Sequence, residues 1–170
     1  MAQGIAKRFL NQIIGEALIC PVIITQAEKR NKASITHQDI DESFFNSLDE
    51  KTQEELLNKM VVINERTYFR SEADFSRAIA LADKLFVKEL HENNYASDYI
   101  DSNKSFHIHK ALIFLGYQDP SVGYRDMLDR LYIYPNATVN LLSNASHSFF
   151  LEQPKQFEYI LNSWLYQYKS

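Results

Sequence analysis

The chain has 170 residues and a formal net charge of −4, so one domain is expected. Charges of both signs are interspersed, which disfavours a nucleic-acid-binding surface, and no apolar run approaches the roughly 18 residues of a membrane span. The first residues lack the apolar core of a signal peptide, and the single Cys20 excludes an internal disulfide; both features predict a cytoplasmic protein.

Two elements open the chain. Apolar residues at helical spacing predict an amphipathic helix over residues 2–10, although no Ser, Thr, Asp or Asn precedes it as a cap. A near-continuous apolar run from Ile13 to Ile24 follows, which is typical of a parallel strand buried on both faces. Cys20 lies within this run, so a buried and unreactive thiol is predicted.

Residues 28–103 are richer in charged and amide side chains, which interrupt apolar stripes of helical period. Capping boxes are predicted at Thr36 with Asp39 and at Ser71 with Asp74. Two stripes are predicted, one over Leu56, Leu57, Met60, Val61 and Asn64, the other over Phe75, Ile79, Ala82, Leu85, Phe86 and Leu90. Such stripes are usually packed cores, and the absence of Gly between Gly15 and Gly116 favours helices over hairpins.

The remainder alternates strands and helices. Apolar runs of strand length lie within Ala111–Asp119 and Thr138–His147, and helical patterns cover Val122–Tyr134 and the residues after Pro154. Together with the first strand, these elements predict three parallel strands joined by helical crossovers.

Each of the last two strands is followed by an ionisable residue, Asp119 after the first and His147 after the second. Ligands of open parallel sheets bind outside the carboxyl ends of the strands, which is where both side chains are expected. A buried carboxylate that fixes the tautomer of a histidine makes that histidine an effective general base. The sequence therefore predicts Asp119 as an acid and His147 as a base; the alternative is a turn aspartate and a surface or capping histidine.

Several motifs resemble the C-terminal part of the α/β-hydrolase family. They are the turn from Gly116 to Asp119, the strand that leads to His147, the tripeptide Glu152-Gln153-Pro154 before the last helix, and the segment Ala2 to Phe9, which is similar to the helix after that family's nucleophile. Ser146 departs from the pattern, because a Gly commonly precedes the histidine.

The resemblance implies an α/β class and a partial α/β-hydrolase fold, with about three parallel strands, flanking helices and an inserted helical lid. Residues 1–27 and 104–170 would form the partial core, and residues 28–103 the lid or cap. It also implies a catalytic triad of which this chain carries Asp119 and His147, while the nucleophile would lie before Met1. The isolated chain is therefore predicted to be inactive.

No residue within the chain is an evident substitute for the nucleophile. Ser143, Ser146 and Ser148 flank His147 without a Gly-x-Ser-x-Gly turn, so loop hydroxyls are predicted there. His107 and His109 could place two imidazoles on one strand face, but no third ligand stands at metal spacing. Neither a metal nor a cofactor is therefore expected.

Partners follow from the resemblance. A small, apolar, ester-like substrate or ligand is suggested by the aromatic residues Phe44, Phe45, Tyr68, Phe69, Phe75 and Phe86 of the lid segment, which could equally form the lid's own core. Without the family's front half, the strand over Ile13–Ile24 would be an open apolar edge, so a homo-oligomer or a separate N-terminal half is predicted. Three interpretations stay open: the C-terminal portion of a hydrolase, a noncatalytic ligand- or partner-binding relative, and one half of a split enzyme.

Overall fold

The computed structural model describes residues 2–9, 11–36, 38–93 and 109–168. The strands of this part are β1 (Gly15–Ile19), β2 (Asp39–Ile40), β3 (Val62–Ile63), β4 (Lys110–Gly116) and β5 (Ala137–Leu142). Its α-helices are α1 (Ala2–Arg8), α2 (Glu42–Phe45), α3 (Glu50–Leu57), α4 (Glu65–Ser71), α5 (Arg77–Leu81), α6 (Lys84–Glu92), α7 (Arg125–Leu128), α8 (Phe149–Glu152) and α9 (Pro154–Tyr166). A π-helical turn over Glu72–Ser76 joins α4 to α5, and 3-10 turns cover Ala27–Lys29 and Leu131–Ile133.

The main sheet has the order β1-β4-β5, and both pairs are parallel. The predicted α/β class with about three parallel strands is confirmed. Because β4 is central, residues 111–116 are all buried and their side chains alternate between two cores. Leu112 and Phe114 pack with Trp164 of α9 on one face, whereas Ile113 packs with Met127 of α7 on the other.

The prediction for the first strand is wrong in its length and in its burial. The strand ends at Ile19, because Cys20 adopts φ 41° and turns the chain away from the sheet. Buried Glu16 and Leu18 alternate with exposed Ala17 and Ile19, so only one face of β1 is covered. Within the described residues β1 is also an edge strand, with β4 as its neighbour on one side.

Residues 38–93 contain a second, two-stranded parallel sheet of β2 and β3, which the sequence did not indicate. Leu56, Met60 and Ile63 form a small core beneath it. Part of the second predicted stripe is not core, because Ile79 and Leu85 are exposed. Where this segment ends, near residue 103, lies outside the described residues, and its assignment as a lid stays a prediction.

Both predicted capping boxes are wrong. The amide of Thr36 donates to the side chain of Gln118, and Asp39 starts β2 instead of a helix. Ser71 lies inside a helix that continues into the π-turn. A capping box does occur at Asn64, whose side chain and backbone bond reciprocally with Thr67.

The helix predicted over Val122–Tyr134 is shorter than its apolar pattern indicated. Gly123 adopts φ 71°, so the helix α7 begins only at Arg125. Pro154 occupies the first turn of α9 as predicted. Among the described helices, none has the length and apolar character required to cross a membrane.

Candidate active site

Asp119 lies at the carboxyl end of β4 and is fully buried. Its Oδ1 atom accepts hydrogen bonds from the amides of Ser121 at 2.8 Å and Val122 at 3.0 Å, a local turn that fixes the carboxylate. The chain can reach this position because Gly116 has no side chain: a Cβ atom there would collide with the backbone carbonyl of Ser146.

His147 follows β5 and lies beside Asp119. Its Nδ1 atom is 2.8 Å from Oδ2 of Asp119, and 42% of its side chain is exposed, compared with none of the aspartate. Since a carboxylate accepts hydrogen bonds, Nδ1 carries the proton and Nε2 is left for other chemistry. The structure thus brings together the two residues singled out from the sequence.

The electrostatics of Asp119 result from opposing effects. Burial by itself would raise the pKa of this carboxyl, but the hydrogen bond and the charge of His147 lower it, as do the amides of Val122 and Ser121. The net result is a pKa below the ordinary value of 3.8. Asp119 is therefore ionised at neutral pH and can stabilise a positive charge on the imidazole.

Cys20 lies next to this pair, a position that the sequence did not reveal. Its Sγ atom, a carboxylate oxygen of Asp119 and a ring nitrogen of His147 all lie within 4.8 Å of one another. Burial raises the pKa of the thiol strongly, and the charge of Asp119 raises it further. A protonated thiol that is hydrogen-bonded to Asp119 explains these contacts, and the prediction of a buried thiol is confirmed.

The cluster offers a metal ion poor ligands. The thiol holds its proton tightly, and the carboxylate already accepts hydrogen bonds from two amides and from the imidazole. A cation would have to displace these protons before it could bind. His109, one member of the other metal candidate, is described, whereas His107 lies outside the described residues.

In the sequence, Glu152 belongs to the motif Glu152-Gln153-Pro154 before the last helix. It is buried, and its two carboxylate oxygens accept the amide hydrogens of Val61 at 2.6 Å and Ser146 at 2.7 Å. Burial raises the pKa of this carboxyl, although its hydrogen bonds to Ser146 and Val61 act in the opposite direction. The sequence pattern gave no signal of these contacts, because the Val61 amide is 91 residues away.

A cavity of about 530 Å³ opens beside the imidazole. Its apolar wall comes from Leu56, Met60, Tyr68, Phe75 and Ile79, and its polar wall includes Thr52, Glu55, Lys59, Ser71 and Glu72. The sheet side contributes Ser121, His147 and Ser148. Residues of the segment 38–93 and His147 therefore line one cavity, whose volume has room for a small molecule.

The aromatic residues suggested for substrate binding are divided by the structure. Tyr68 and Phe75 line the cavity, and Phe75 also contacts Phe150 at a centroid distance of 6.2 Å. Phe69 and Phe86 are exposed. Tyr68 also makes ring contacts with Phe44 and Phe69, and Phe45 packs against the small core of the segment.

The hydroxyls near His147 also differ from one another. Ser146 is fully buried, and its Oγ atom accepts the amide hydrogen of Ser148 at 3.1 Å. Ser143 is exposed in the loop after β5, whereas Ser148 faces the cavity. Since none of these residues lies in a Gly-x-Ser-x-Gly turn, the interpretation as loop hydroxyls stands as a prediction.

Comparison with solved structures identifies the fold. An alpha/beta superfamily hydrolase from Oenococcus oeni PSU-1 superimposes with a TM-score of 0.83 and 25% identity, over 99% of this chain and 62% of the hydrolase. A proposed aryl esterase from Burkholderia cenocepacia matches with a TM-score of 0.50 and 16% identity, over 98% of this chain and 60% of the esterase. No protein-family model and no curated protein matches the chain. The chain therefore has a partial α/β-hydrolase fold and spans less than two thirds of the length of these two proteins.

Proposed function

Starting from this partial α/β-hydrolase fold, we propose that the chain is the C-terminal portion of a serine-type hydrolase that acts on a small, apolar, ester-like molecule. Asp119 is the acid and His147 the base of its triad. One observation carries the proposal: His147 Nδ1 lies 2.8 Å from Asp119 Oδ2 at the carboxyl ends of neighbouring parallel strands. A buried carboxylate that orients a partly exposed imidazole is the arrangement that general-base catalysis requires.

The chemistry follows from the two ring nitrogens. With Nδ1 held by Asp119, Nε2 of His147 takes the proton of a serine hydroxyl as the serine oxygen bonds to the ester carbonyl carbon. When the tetrahedral intermediate collapses, the alcohol leaves with that proton and an acyl-serine remains. Water then attacks the acyl carbon by the same proton transfers, which release the acid and restore the serine. Ionised Asp119 stabilises the imidazolium in both steps, the formation of the acyl-serine and its hydrolysis.

The cavity beside His147 supports the substrate class. Leu56, Met60 and Phe75 offer apolar contacts to an acyl or aryl group, and Ser148 lies on the side of the imidazole. A volume of about 530 Å³ is adequate for a small molecule. We further propose that residues 28–103 act as the lid that shapes this cavity, and that the protein is cytoplasmic, where the buried free Cys20 stays reduced.

The nucleophile is proposed to come from a polypeptide segment beyond these 170 residues. The printed sequence contains no Gly-x-Ser-x-Gly, and buried Ser146 cannot meet a substrate. Triad chemistry also needs backbone donors for the oxyanion, of which a single one is worth about 3 kcal/mol in the barrier. A chain without these parts is inactive alone.

We expect the isolated chain to hydrolyse p-nitrophenyl butyrate no faster than buffer does. A longer polypeptide, extended in frame upstream of Met1 through a Gly-x-Ser-x-Gly segment, should turn the ester over, and His147→Ala should lower its kcat by about 10⁶. The measurement is the initial rate of p-nitrophenolate release. His91→Ala, an exposed histidine on α6, is the matched control and should leave the rate unchanged.

Two outcomes would contradict the proposal, and a third would divide the enzyme between two polypeptides. Robust turnover by the isolated chain that disappears in His147→Ala would show that the 170 residues carry their own nucleophile. Failure of the extended polypeptide to hydrolyse any ester would instead favour a noncatalytic relative that uses the cavity to bind a ligand. Copurification of a serine-bearing chain would favour a split enzyme.

We also propose that the edge of β1 that faces away from β4 is covered by a partner, either a second copy of this chain or a separate N-terminal half. Ile14 is 71% exposed and Ile19 is 45% exposed along this edge, and Ile5 and Phe9 of the adjoining segment are exposed as well. An apolar edge strand with unpaired backbone groups pairs readily with another strand. The match covers 62% of the Oenococcus hydrolase, so that hydrolase has residues without a counterpart in this chain. A separate N-terminal half would supply residues of that kind.

Light scattering after size exclusion should therefore show a dimer or a larger species at about 10 μM, a concentration where a stable interface is occupied. Ile14→Lys should shift the chain towards the monomer, because a charge on the edge opposes pairing. Tyr159→Lys, on the exposed face of α9, should not change the mass. A monodisperse wild-type monomer would contradict association of copies and leave the separate N-terminal half as the partner.

A further inference from the structure

One buried carboxylate, that of Glu152, joins two parts of the chain that are far apart in sequence. Its Oε1 atom accepts the amide hydrogens of Val61 at 2.6 Å and of Val62 at 3.4 Å, both at the start of β3. Its Oε2 atom accepts the amide hydrogen of Ser146 at 2.7 Å, in the loop after β5. Only 4% of the residue is exposed, so the three amides have little access to water as an alternative partner.

We call the contacts of Glu152 with Val61, Val62 and Ser146 the junction. Two further side chains strengthen it. Arg66 of α4 donates from Nη1 to the carbonyl of Leu151 at 2.9 Å and from Nη2 to the carbonyl of Glu152 at 3.3 Å. Gln153 donates from its side chain to the carbonyl of Asn144, in the loop that leads to His147. Residues 151–153 therefore bind the cavity-forming segment and the histidine loop at once.

Each oxygen of Glu152 holds a residue directly adjacent to one that faces the cavity. Val61 follows Met60, and Ser146 precedes His147; both Met60 and His147 line the cavity. Met60 and His147 are therefore linked by two neighbouring backbone amides that donate to one carboxylate. A charged acceptor forms stronger hydrogen bonds than a neutral one, which makes this link stiff.

Burying an unpaired charge is costly, and a neutral side chain at this position would avoid that cost. Burial raises the pKa of the Glu152 carboxyl, and the hydrogen bonds from Ser146, Val61 and Val62 act against that rise because they favour the ionised form. The amides of Val61, Val62 and Ser146 compensate for the cost of burying the Glu152 charge. A side chain that only filled this space would not have to accept hydrogen bonds from all three amides.

We propose that Glu152 is a positioning residue that couples the wall of the cavity to the orientation of His147. This inference rests on the proposed function, in which His147 is the base. A ligand that moves the Met60 wall then changes the placement of the imidazole through a single carboxylate. Glu152 itself does not touch the cavity or the reacting atoms.

The test uses the 170-residue chain and Glu152→Gln, which keeps the shape of the side chain but replaces one acceptor with an NH₂ donor that faces an amide hydrogen. Amide hydrogen exchange should become about tenfold faster or more at whichever of Val61 and Ser146 faces the NH₂ group, because that amide loses its acceptor, and faster to a smaller degree at the other, because its acceptor is no longer charged. The Nδ1–H proton resonance of His147, which reports the contact with Asp119, should shift or disappear. Glu158→Gln, an exposed residue of α9, is the control and should leave both signals unchanged.

A merely structural role would lower stability and speed exchange, yet leave the Nδ1–H resonance of His147 in place; that result would overturn the proposal. If Glu152→Gln does not fold, Arg66→Ala tests the junction while the buried carboxylate stays intact. Unchanged Ser146 exchange and an unchanged His147 resonance in Arg66→Ala would overturn the proposal as well. Neither signal depends on a serine or on turnover, so failure here is distinguishable from failure of the proposed hydrolase function.

Discussion

Replacing Gly116 by alanine is expected to destabilise the chain by about 3 kcal/mol, the upper part of the range for overpacking a core. The added Cβ atom would lie 2.8 Å from the carbonyl oxygen of Ala145 and closer still to that of Ser146. These are backbone atoms, so no change of rotamer relieves the clash. Either β4 or the loop that carries His147 has to move.

The measurement is urea unfolding followed by circular dichroism, with Gly15→Ala as the matched control. The Cβ of an alanine at position 15 would meet the ends of two side chains, Tyr168 at 2.5 Å and Trp164 at 2.9 Å, besides the Lys110 carbonyl at 3.1 Å. Side-chain ends can rotate away, so this control should cost less, about 1 kcal/mol. Equal stability of wild type and Gly116→Ala would show that β4 does not approach the loop as described.

Asp119→Ala is expected to cost about 3 kcal/mol, since it removes a buried charge from a paired network and leaves buried donors unsatisfied. The amides of Ser121 and Val122 would lose their acceptor, and His147 would lose the group that orients it. Asp129→Ala, at an exposed position after α7, should change stability by less than about 0.5 kcal/mol.

Asp119→Asn separates the two roles of the carboxylate, because an amide oxygen can still accept from the turn but carries no charge. In the folded wild type the pKa of the Asp119 carboxyl is below its ordinary value of 3.8. The charge of Asp119 therefore contributes stability at pH values above 3.8. This contribution is lost as the pH falls through the folded-state pKa. The stability difference between wild type and Asp119→Asn should therefore be largest at neutral pH and shrink below pH 3.8. A difference that does not vary with pH would show that the charge of Asp119 contributes no stability.

Local patterns predicted much of the sheet. Apolar runs of strand length located β4 and β5, and the short connections after them located the ionisable residues Asp119 and His147. This works because parallel strands align their carboxyl ends, so that residues following two neighbouring strands meet. The structure brings this pair together, while its catalytic role remains to be tested.

Periodicity gave wrong boundaries wherever a single backbone conformation decided the outcome. Cys20 ends β1 by adopting a positive φ within an apolar run, and Gly123 delays the start of α7. Local spacing also gave a wrong prediction for the segment before β2. The amide of Thr36 donates to the side chain of Gln118, a long-range hydrogen bond, instead of forming the expected capping box.

The sequence by itself determined the parallel α/β class and the order in which an aspartate and a histidine follow successive strands, since both depend on local apolar runs and on the turns between them. Only the tertiary structure decided that Cys20 lies against Asp119 and that Glu152 holds both Val61 and Ser146. These contacts join backbone and side-chain atoms of segments remote in the chain. Hydrogen bonds between such remote segments impose no periodicity on the sequence, so no local pattern predicts them.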